Sequence, residues 1–185
     1  FDTIDHKRLW ETLTQQNVPT PYVQLLQRLY NNQTATVKTD KISRPFDLQR
    51  GVKQGDPLSS LLFNACLEQL FQQLKQRWSH KSYGIDIGGA TRLTNLRFAD
   101  DVLLLARSLP QLTQLLTDLQ QEARHYGLEL HPEKTHILTN LSRRSGRDGK
   151  TEVSINGAMV QVLGFHEETK YLGCKLSCGD YHDTE

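Results

Sequence analysis

The most informative stretch of the chain is residues 96–105, which read LRFADDVLLL. Two apolar arms, Leu96–Phe98 and Val102–Ala106, flank the adjacent aspartates Asp100 and Asp101. Short apolar runs on both sides of a polar pair are typical of two antiparallel strands joined by a tight turn. The pattern therefore predicts a β-hairpin that carries two carboxylates at its tip.

The adjacency of Asp100 and Asp101 has two interpretations. Two like charges repel each other, and the apolar arms are expected to place them against a core, where that repulsion is costly. A divalent cation would reverse the sign of the interaction, and Mg²⁺ is commonly bound by one or two carboxylates together with substrate phosphates. However, Asp-Asp is also an ordinary turn dipeptide that needs no ligand. The residues alone leave both interpretations open.

A second motif, residues 50–59 (RGVKQGDPLS), leads from a glycine-bearing loop into a helix. Asp56 can cap that helix, and Pro57 suits its first turn because the missing N–H costs nothing there. Backbone amides at a helix N-terminus favour phosphate, Gly55 permits a close approach, and Gln54 can both donate and accept hydrogen bonds. The alternative is a plain turn before a well-capped helix.

The rest of the chain alternates between helical and extended patterns. Four helices are predicted. The first covers residues 6–16 after the N-cap Asp5, and the last covers 110–126 and is ended by Gly127. The second carries the apolar residues Val23, Leu25, Leu26, Leu29 and Tyr30, and the third, a long helix from Pro57, carries the apolar stripe Leu58, Leu61, Leu62, Ala65, Cys66, Leu70 and Leu74. The predicted strands are Thr34–Thr39, Ser43–Arg50, Ile85–Ile87, Thr135–Leu138, and Val153–Ile155 with Met159–Val162 around Asn156-Gly157. This order predicts an α+β fold with helices packed on one face of a mostly antiparallel sheet.

Composition narrows the class of protein. Of the 185 residues, 37% are hydrophobic and 23% charged, which is typical of a globular domain rather than a disordered chain. The net charge of +1 gives nucleic-acid binding no support, so a basic surface would have to be local, as at residues 143–150. A membrane-spanning helix needs about 18 consecutive apolar residues, and no apolar run in the sequence is that long. No signal peptide is recognisable. We therefore expect no membrane partner.

The three cysteines are Cys66, Cys174 and Cys178, which form neither an even set nor a CxxC pair. This pattern indicates a reduced, intracellular protein, with Cys66 as a core residue. A zinc site from Cys174 and Cys178 with His166 and His182 is disfavoured because the spacing is poor.

Five motifs in order resemble the palm of a reverse transcriptase, above all that of the non-LTR (LINE-type) retrotransposons. They are Phe1–His6, Arg50–Asn64, Phe98–Asp101, Gly127–Thr135 and Lys170–Gly173. The resemblance implies a polymerase palm over residues 1–173, truncated at its N-terminus, and a tail over residues 174–185 that leads towards a thumb.

The resemblance implies an RNA-directed DNA polymerase that adds dNTPs to a primer 3′-hydroxyl on an RNA template. Asp100 and Asp101 would bind two Mg²⁺ ions, with Mn²⁺ as an alternative, for two-metal phosphoryl transfer. Lys134 would be the general acid that protonates pyrophosphate, although spacing alone favours a solvated lysine. The implied partners are the RNA template, a DNA primer or target, and dNTPs.

Further roles follow from the same resemblance. Phe1 would be the steric gate that excludes a 2′-hydroxyl, with an ordinary core phenylalanine as the alternative. Gln54 and Gly55 would contact the templating base pair. Tyr171 and Gly173 would form the primer grip, although Tyr171 could equally be a core residue.

The chain also departs from the family pattern. The family has a catalytic aspartate five residues before the aromatic that aligns with Phe1, so we expect that residue and the fingers to lie upstream, and the 185 residues alone to be inactive. Ser60 stands where the family often has proline.

Two rival readings of the function remain. One is a non-catalytic relic, a folded nucleic-acid-binding or structural module without polymerase activity, motivated by the truncated start and the near-neutral charge. The other is a group II intron-type reverse transcriptase, which usually has tyrosine where Phe98 stands. The expected location is the nucleus during insertion and the cytoplasm otherwise.

Overall fold

The computed structural model describes residues 1–53, 55–89, 91–140 and 151–179. Gln54, which was predicted to contact the templating base pair, lies outside them. The chain divides into two compact units, Phe1–Gln76 with Gln121–Leu128, and Arg77–Gln120 with Glu129–Glu185. In the described ranges, no helix combines the length and the apolarity that a bilayer crossing requires.

The helices are α1 (His6–Gln15), α2 (Thr20–Tyr30), α3 (Pro57–His80) and α4 (Leu109–His125), with a short 3₁₀ helix at Pro132–Lys134. The strands are β1 (Thr34–Ala35), β2 (Phe46–Asp47), β3 (Ile85–Asp86), β4 (Arg92–Leu93), β5 (Asn95–Phe98), β6 (Asp101–Leu104), β7 (His136–Leu138), β8 (Thr151–Ile155), β9 (Ala158–Leu163), β10 (Thr169–Tyr171) and β11 (Cys174–Leu176).

The predicted helix caps are confirmed. The side chain of Asp5 accepts a hydrogen bond from the amide of Arg8 at 2.9 Å, which starts α1. The side chain of Asp56 accepts from the amide of Leu58, also at 2.9 Å, at the start of α3. Each carboxylate satisfies an amide that has no partner within the first helical turn.

Gly127 ends α4 as predicted. It has a φ of 73°, the amide of Leu128 donates to the carbonyl of Ala123 at 3.0 Å, and the amide of Gly127 donates to the carbonyl of Arg124 at 3.1 Å. These two hydrogen bonds form a Schellman motif, which favours glycine because a side chain is strained at this φ.

Two predicted apolar faces are only partly buried. On α2, Val23 and Tyr30 are buried, whereas Leu25 and Leu29 are more than half exposed. On α3, the predicted stripe is buried at Leu62, Cys66, Leu70 and Leu74 but leaves Leu61 67% exposed. The period of the pattern was therefore right, and the width of the buried face was wrong at these three leucines.

The first unit also contains a small antiparallel pair. Of the residues predicted as strands over 34–39 and 43–50, Thr34 pairs with Asp47 and Ala35 with Phe46. Isolated bridges also join Lys38 to Ile42 and Arg50 to Asp5. Both strands are largely exposed, so no core stabilises longer pairing there.

The second unit holds the remaining small sheets. β3 pairs with β4, β5 with β6 and β10 with β11, all antiparallel. A three-stranded sheet has the order β7-β9-β8, in which β7 and β9 run parallel and β8 and β9 antiparallel. Its core consists of the buried residues Leu116, Ile137, Ile155, Val160 and Val162. Helices with mostly antiparallel small sheets confirm the predicted α+β, palm-type fold class.

The two-residue hairpin predicted at Asn156-Gly157 is confirmed. These residues form the two-residue connection between β8 and β9, with φ values of 49° and 86°. Two successive left-handed residues are the requirement of a type I′ turn, whose twist matches that of the paired strands.

Candidate active site

The predicted aspartate hairpin is present in the second unit. β5 and β6 pair antiparallel with Phe98 opposite Asp101, so Ala99 and Asp100 form the two-residue turn. Ala99 has a φ of 50°, a left-handed conformation that costs a non-glycine residue about 1–2 kcal/mol. Strain of this kind persists where the surrounding structure requires it and is concentrated at functional sites.

The tip of this hairpin faces solvent rather than a core, which corrects the expected burial. Asp100 and Asp101 are both exposed, and Phe98 beside them is 65% exposed. Only the base of the hairpin packs inward, where Asn95 is buried and Leu104 contacts the core of the β7-β9-β8 sheet. Mutual repulsion of the two carboxylates is therefore screened by water.

Neither carboxylate is paired with a cation among the residues that the structure describes. Across residues 1–53, 55–89, 91–140 and 151–179, no lysine, arginine or histidine forms a salt bridge with Asp100 or Asp101. Their oxygens are therefore available to a ligand.

The predicted primer-grip segment is a second hairpin. Tyr171 pairs with Cys174 across β10 and β11, and the connecting Leu172 and Gly173 have φ values of 51° and 82°. Both are left-handed, as in a type I′ turn. Gly173 was the local signal for this turn, whereas Leu172 is unfavourable in a left-handed conformation and gave none.

The structure brings Tyr171 and Asp101 together. Tyr171 is half-buried, and burial raises the pKa of its phenol, with a further contribution from the negative charge of Asp101. Two residues that are 70 positions apart in the chain thus interact electrostatically within one unit. Tyr171 stays protonated at neutral pH and can donate a hydrogen bond.

Lys134 is the last residue of the 3₁₀ helix and is exposed. Its amide donates to the carbonyl of His131 at 3.1 Å. No hydrogen bond or salt bridge between described residues joins its side chain to Asp100 or Asp101. The role of general acid stays a prediction.

In the first unit, Phe1 is held at two points. Its carbonyl accepts a hydrogen bond from the amide of Val52 at 2.9 Å, and its ring stacks on that of Phe63 with centroids 4.4 Å apart and planes 11° apart. The amide of Gly51 donates to the carbonyl of Ile4 at 2.8 Å. The first and second predicted motifs are therefore neighbours in space.

Two glycines lie against this N-terminal segment. A Cβ on Gly51 would come within 2.6 Å of the carbonyl oxygen of Asp2, and one on Gly127 within 2.3 Å of that of Thr3. Both glycines also have positive φ values, 83° and 73°. A side chain would collide with main chain at either position, so glycine is required for close approach.

His6 is a residue whose role the sequence analysis missed. Its Nε2 lies 2.7 Å from the carbonyl oxygen of Gly51, so the tautomer with a proton on Nε2 donates a hydrogen bond there. The imidazole also meets the ring of Tyr30 edge-on at 5.4 Å. Its place directly after Asp5 in the first motif was the only signal in the sequence.

The two glycines predicted to belong to the site, Gly55 and Gly173, have free space around them. Gly55 has a φ of 87° and Gly173 one of 82°, and a Cβ at either would meet nothing within 4 Å. Gly55 is exposed just before α3, where backbone amides of the first turn lack intrahelical partners. Their predicted contacts with nucleic acid remain untested.

Cys66 is structural, as predicted. It is fully buried on α3, and burial raises the pKa of its thiol to about 12. A hydrogen bond with the side chain of Thr12 lowers this pKa by a smaller amount. A thiol with so high a pKa is neither nucleophile nor metal ligand at neutral pH.

The donor set at the hairpin fits a hard divalent cation. Two exposed carboxylates supply oxygen ligands, and Mg²⁺ is commonly held by one or two carboxylates plus substrate phosphates and water. Within the part of the chain that the structure describes, no group of three or more His, Cys, Asp or Glu side chains could hold a metal. His182, a member of the disfavoured zinc set, lies outside the described residues.

The α+β fold and the exposed carboxylate hairpin together define a polymerase palm. The chain belongs to the reverse transcriptase (RNA-dependent DNA polymerase) family, which it matches over residues 1–176. Members of this family copy a nucleic-acid template from dNTPs and use divalent metal ions.

Several curated proteins are similar to the chain. It is 29% identical over 94% of its length to the retrovirus-related Pol polyprotein from a type-1 retrotransposable element R2 of Nasonia vitripennis. It is 33% identical over 96% of its length to the corresponding polyprotein from the type-2 element R2DM of Drosophila melanogaster. The chain spans 17% of the length of each. The predicted relationship to non-LTR retrotransposon reverse transcriptases is confirmed.

Proposed function

We propose that the chain is the catalytic palm of an RNA-directed DNA polymerase from a non-LTR retrotransposon. The observation that supports this most strongly is the strained β5–β6 turn, which exposes Asp100 and Asp101 without a cationic partner among the described residues. An exposed pair of carboxylates in a reverse transcriptase palm is suited to hold divalent ions near a primer end.

In this proposal Asp100 is the main metal ligand and Asp101 the secondary one. When bound, two Mg²⁺ ions, or Mn²⁺ in their place, supply activation of the primer 3′-hydroxyl and stabilisation of the charge on the leaving pyrophosphate. Lys134 would donate a proton to that leaving group. Positioning and electrostatics supply most of the rate in such a reaction, because charge is spread over the phosphoryl oxygens.

The remaining residues bind and orient substrates. The ring of Phe1 would lie against the sugar of the incoming dNTP and exclude a 2′-hydroxyl. Gln54 and Gly55 would contact the templating base pair, and Tyr171 with Gly173 would hold the primer strand. The substrates are an RNA template, a DNA primer or target, and dNTPs. The expected location in the nucleus during insertion, and in the cytoplasm otherwise, belongs to the same proposal.

The test is primer extension by a longer polypeptide, in which the chain is extended on its N-terminal side. It would receive a DNA primer on an RNA template, dNTPs and Mg²⁺, and would be compared with its Asp100→Asn and Asp86→Asn variants. Asp86 is an exposed aspartate on the unrelated strand β3, so it is a matched control.

We expect RNA-dependent DNA synthesis that falls about 10³-fold in Asp100→Asn, because charge stabilisation at the reacting phosphate is lost, and that is unchanged in Asp86→Asn. Equal synthesis by wild type and Asp100→Asn would overturn the proposal. Binding of the primed RNA without any synthesis would instead favour a non-catalytic nucleic-acid-binding module.

A further inference from the structure

The ring of Phe1 has a specific neighbour on α3. Phe63 is 4% exposed and its ring lies parallel to that of Phe1, with centroids 4.4 Å apart and an interplanar angle of 11°. Phe1 itself is half-buried, so part of its ring stays accessible. Close parallel stacking of this kind is a favourable arrangement of two aromatic side chains beyond their shared burial.

Phe63 is itself firmly held. It lies between the buried residues Leu62 and Leu67 on a helix whose start is capped by Asp56. A helical residue in a packed core has few rotamers available to it. The flat face that Phe63 presents to Phe1 is therefore fixed.

The main chain of Phe1 is fixed independently of its ring. Its carbonyl accepts from the amide of Val52 at 2.9 Å, and a second hydrogen bond joins Gly51 to Ile4 at 2.8 Å. These bonds leave the side-chain torsions of Phe1 free. The stack on Phe63 is a contact that restricts them.

We infer that Phe63 is a positioning residue for sugar selection, which holds the ring of Phe1 in the orientation that excludes a ribose 2′-hydroxyl. The inference rests on the proposed function, in which Phe1 contacts the sugar. A steric wall discriminates only if it does not move, because a ring that can change rotamer makes room for one additional oxygen. Phe63 supplies that rigidity without touching the nucleotide.

The experiment measures kcat/KM for a dNTP and for the matching ribonucleoside triphosphate with the longer polypeptide and four variants. Phe63→Leu removes the flat surface and keeps an apolar side chain, and Phe63→Tyr retains the ring. Phe71→Leu is the matched control, since Phe71 is fully buried two turns further along the same helix. Phe1→Ala removes the wall itself.

We expect Phe63→Leu to lower the preference for the dNTP roughly tenfold, chiefly through a lower KM for the ribonucleotide, as for a pocket that admits one extra group. Phe63→Tyr should retain most of the wild-type preference for the dNTP, and Phe71→Leu should leave that preference unchanged. A purely structural role for Phe63 would lower the activity with both nucleotides equally and leave their ratio intact.

The outcomes separate this inference from the proposed function. If Phe1→Ala lowers the preference and Phe63→Leu does not, the inference is overturned while the polymerase stands. If wild type synthesises DNA but Phe1→Ala leaves the preference unchanged, Phe1 is not the gate and the inference is again overturned. If wild type synthesises no DNA, the proposed function fails and the inference fails with it.

Discussion

The phenol of Tyr171 interacts electrostatically with the carboxylate of Asp101, and burial together with that charge raises the phenol's pKa. This interaction links the β10–β11 hairpin to the β5–β6 hairpin, and the two hairpins are far apart in the sequence. A protonated tyrosine beside a carboxylate can donate a hydrogen bond to it or to a third group. The segment predicted to grip the primer thus interacts electrostatically with Asp101, one of the two residues predicted to bind metal.

Replacing Asp101 by asparagine should lower the pKa of Tyr171, because a negative charge that opposes ionisation of the phenol is removed. Burial, the larger cause, remains, so the pKa should stay above its ordinary value. A pH titration of the chain labelled with ¹³C in its tyrosine rings would follow Tyr171 directly. Asp86→Asn is the control, and a Tyr171 pKa that is identical in wild type and Asp101→Asn would rule out the electrostatic interaction.

Gly127→Ala should destabilise the fold by about 1–3 kcal/mol more than Gly157→Ala. Both glycines have positive φ values, 73° and 86°, so an alanine carries similar backbone strain at either. At Gly127 the new Cβ would also lie 2.3 Å from the carbonyl oxygen of Thr3, whereas at Gly157 it meets nothing within 4 Å. Urea unfolding followed by circular dichroism would measure both, and equal losses would show that the segment at Thr3 does not pack against Gly127.

Stability should fall as the pH rises above 9, with Cys66 as a contributor. The thiol's pKa is raised from 9.0 to about 12, so the folded state binds more protons than the unfolded state between these values. The contribution of Cys66 is complete below pH 9 and is lost at about 1.4 kcal/mol per pH unit above it. Between pH 9 and 11, the free energy of unfolding should fall more steeply with pH in wild type than in Cys66→Ala. The same pH dependence of this free energy in the two proteins would contradict the burial of the thiol.

Local signals predicted the parts of the fold that depend on local chemistry. Asn156-Gly157 specified a type I′ turn, and Asp56-Pro57 specified a helix start, because a few neighbouring residues determine each. The tip of the β5–β6 hairpin was placed correctly for the same reason. These features need no knowledge of what packs against them.

Burial was less predictable. Leu25 and Leu61 repeat at helical spacing within apolar stripes and are nevertheless exposed. Whether a stripe position is covered depends on the width of the neighbouring element, which the local pattern does not contain. The same reason explains why the strands at Thr34 and Phe46 are so short.

The candidate residues of the site could be named from the sequence, but their arrangement could not be predicted from it. The adjacent carboxylates of Asp100 and Asp101 can be read from the sequence. In contrast, Gly51 and Gly127 pack against the main chain of residues 2–3, and these segments are far apart in the chain. The stack of Phe1 on Phe63 and the electrostatic interaction of Tyr171 with Asp101 are likewise non-local. Sequence spacing gives no distance between such residues.

Asp100 and Asp101 are proposed to hold divalent cations at the tip of the β5–β6 hairpin. The most direct measurement of this binding is the broadening of backbone amide signals by substoichiometric Mn²⁺ in ¹H–¹⁵N spectra of the 185-residue chain. We expect selective broadening at residues 99–102, reversed by excess Mg²⁺ and abolished when Asp100→Asn and Asp101→Asn are combined, with little effect at the lone exposed Asp86. Broadening at residues 99–102 that is no stronger than at Asp86, or that persists in the double variant, would contradict the account.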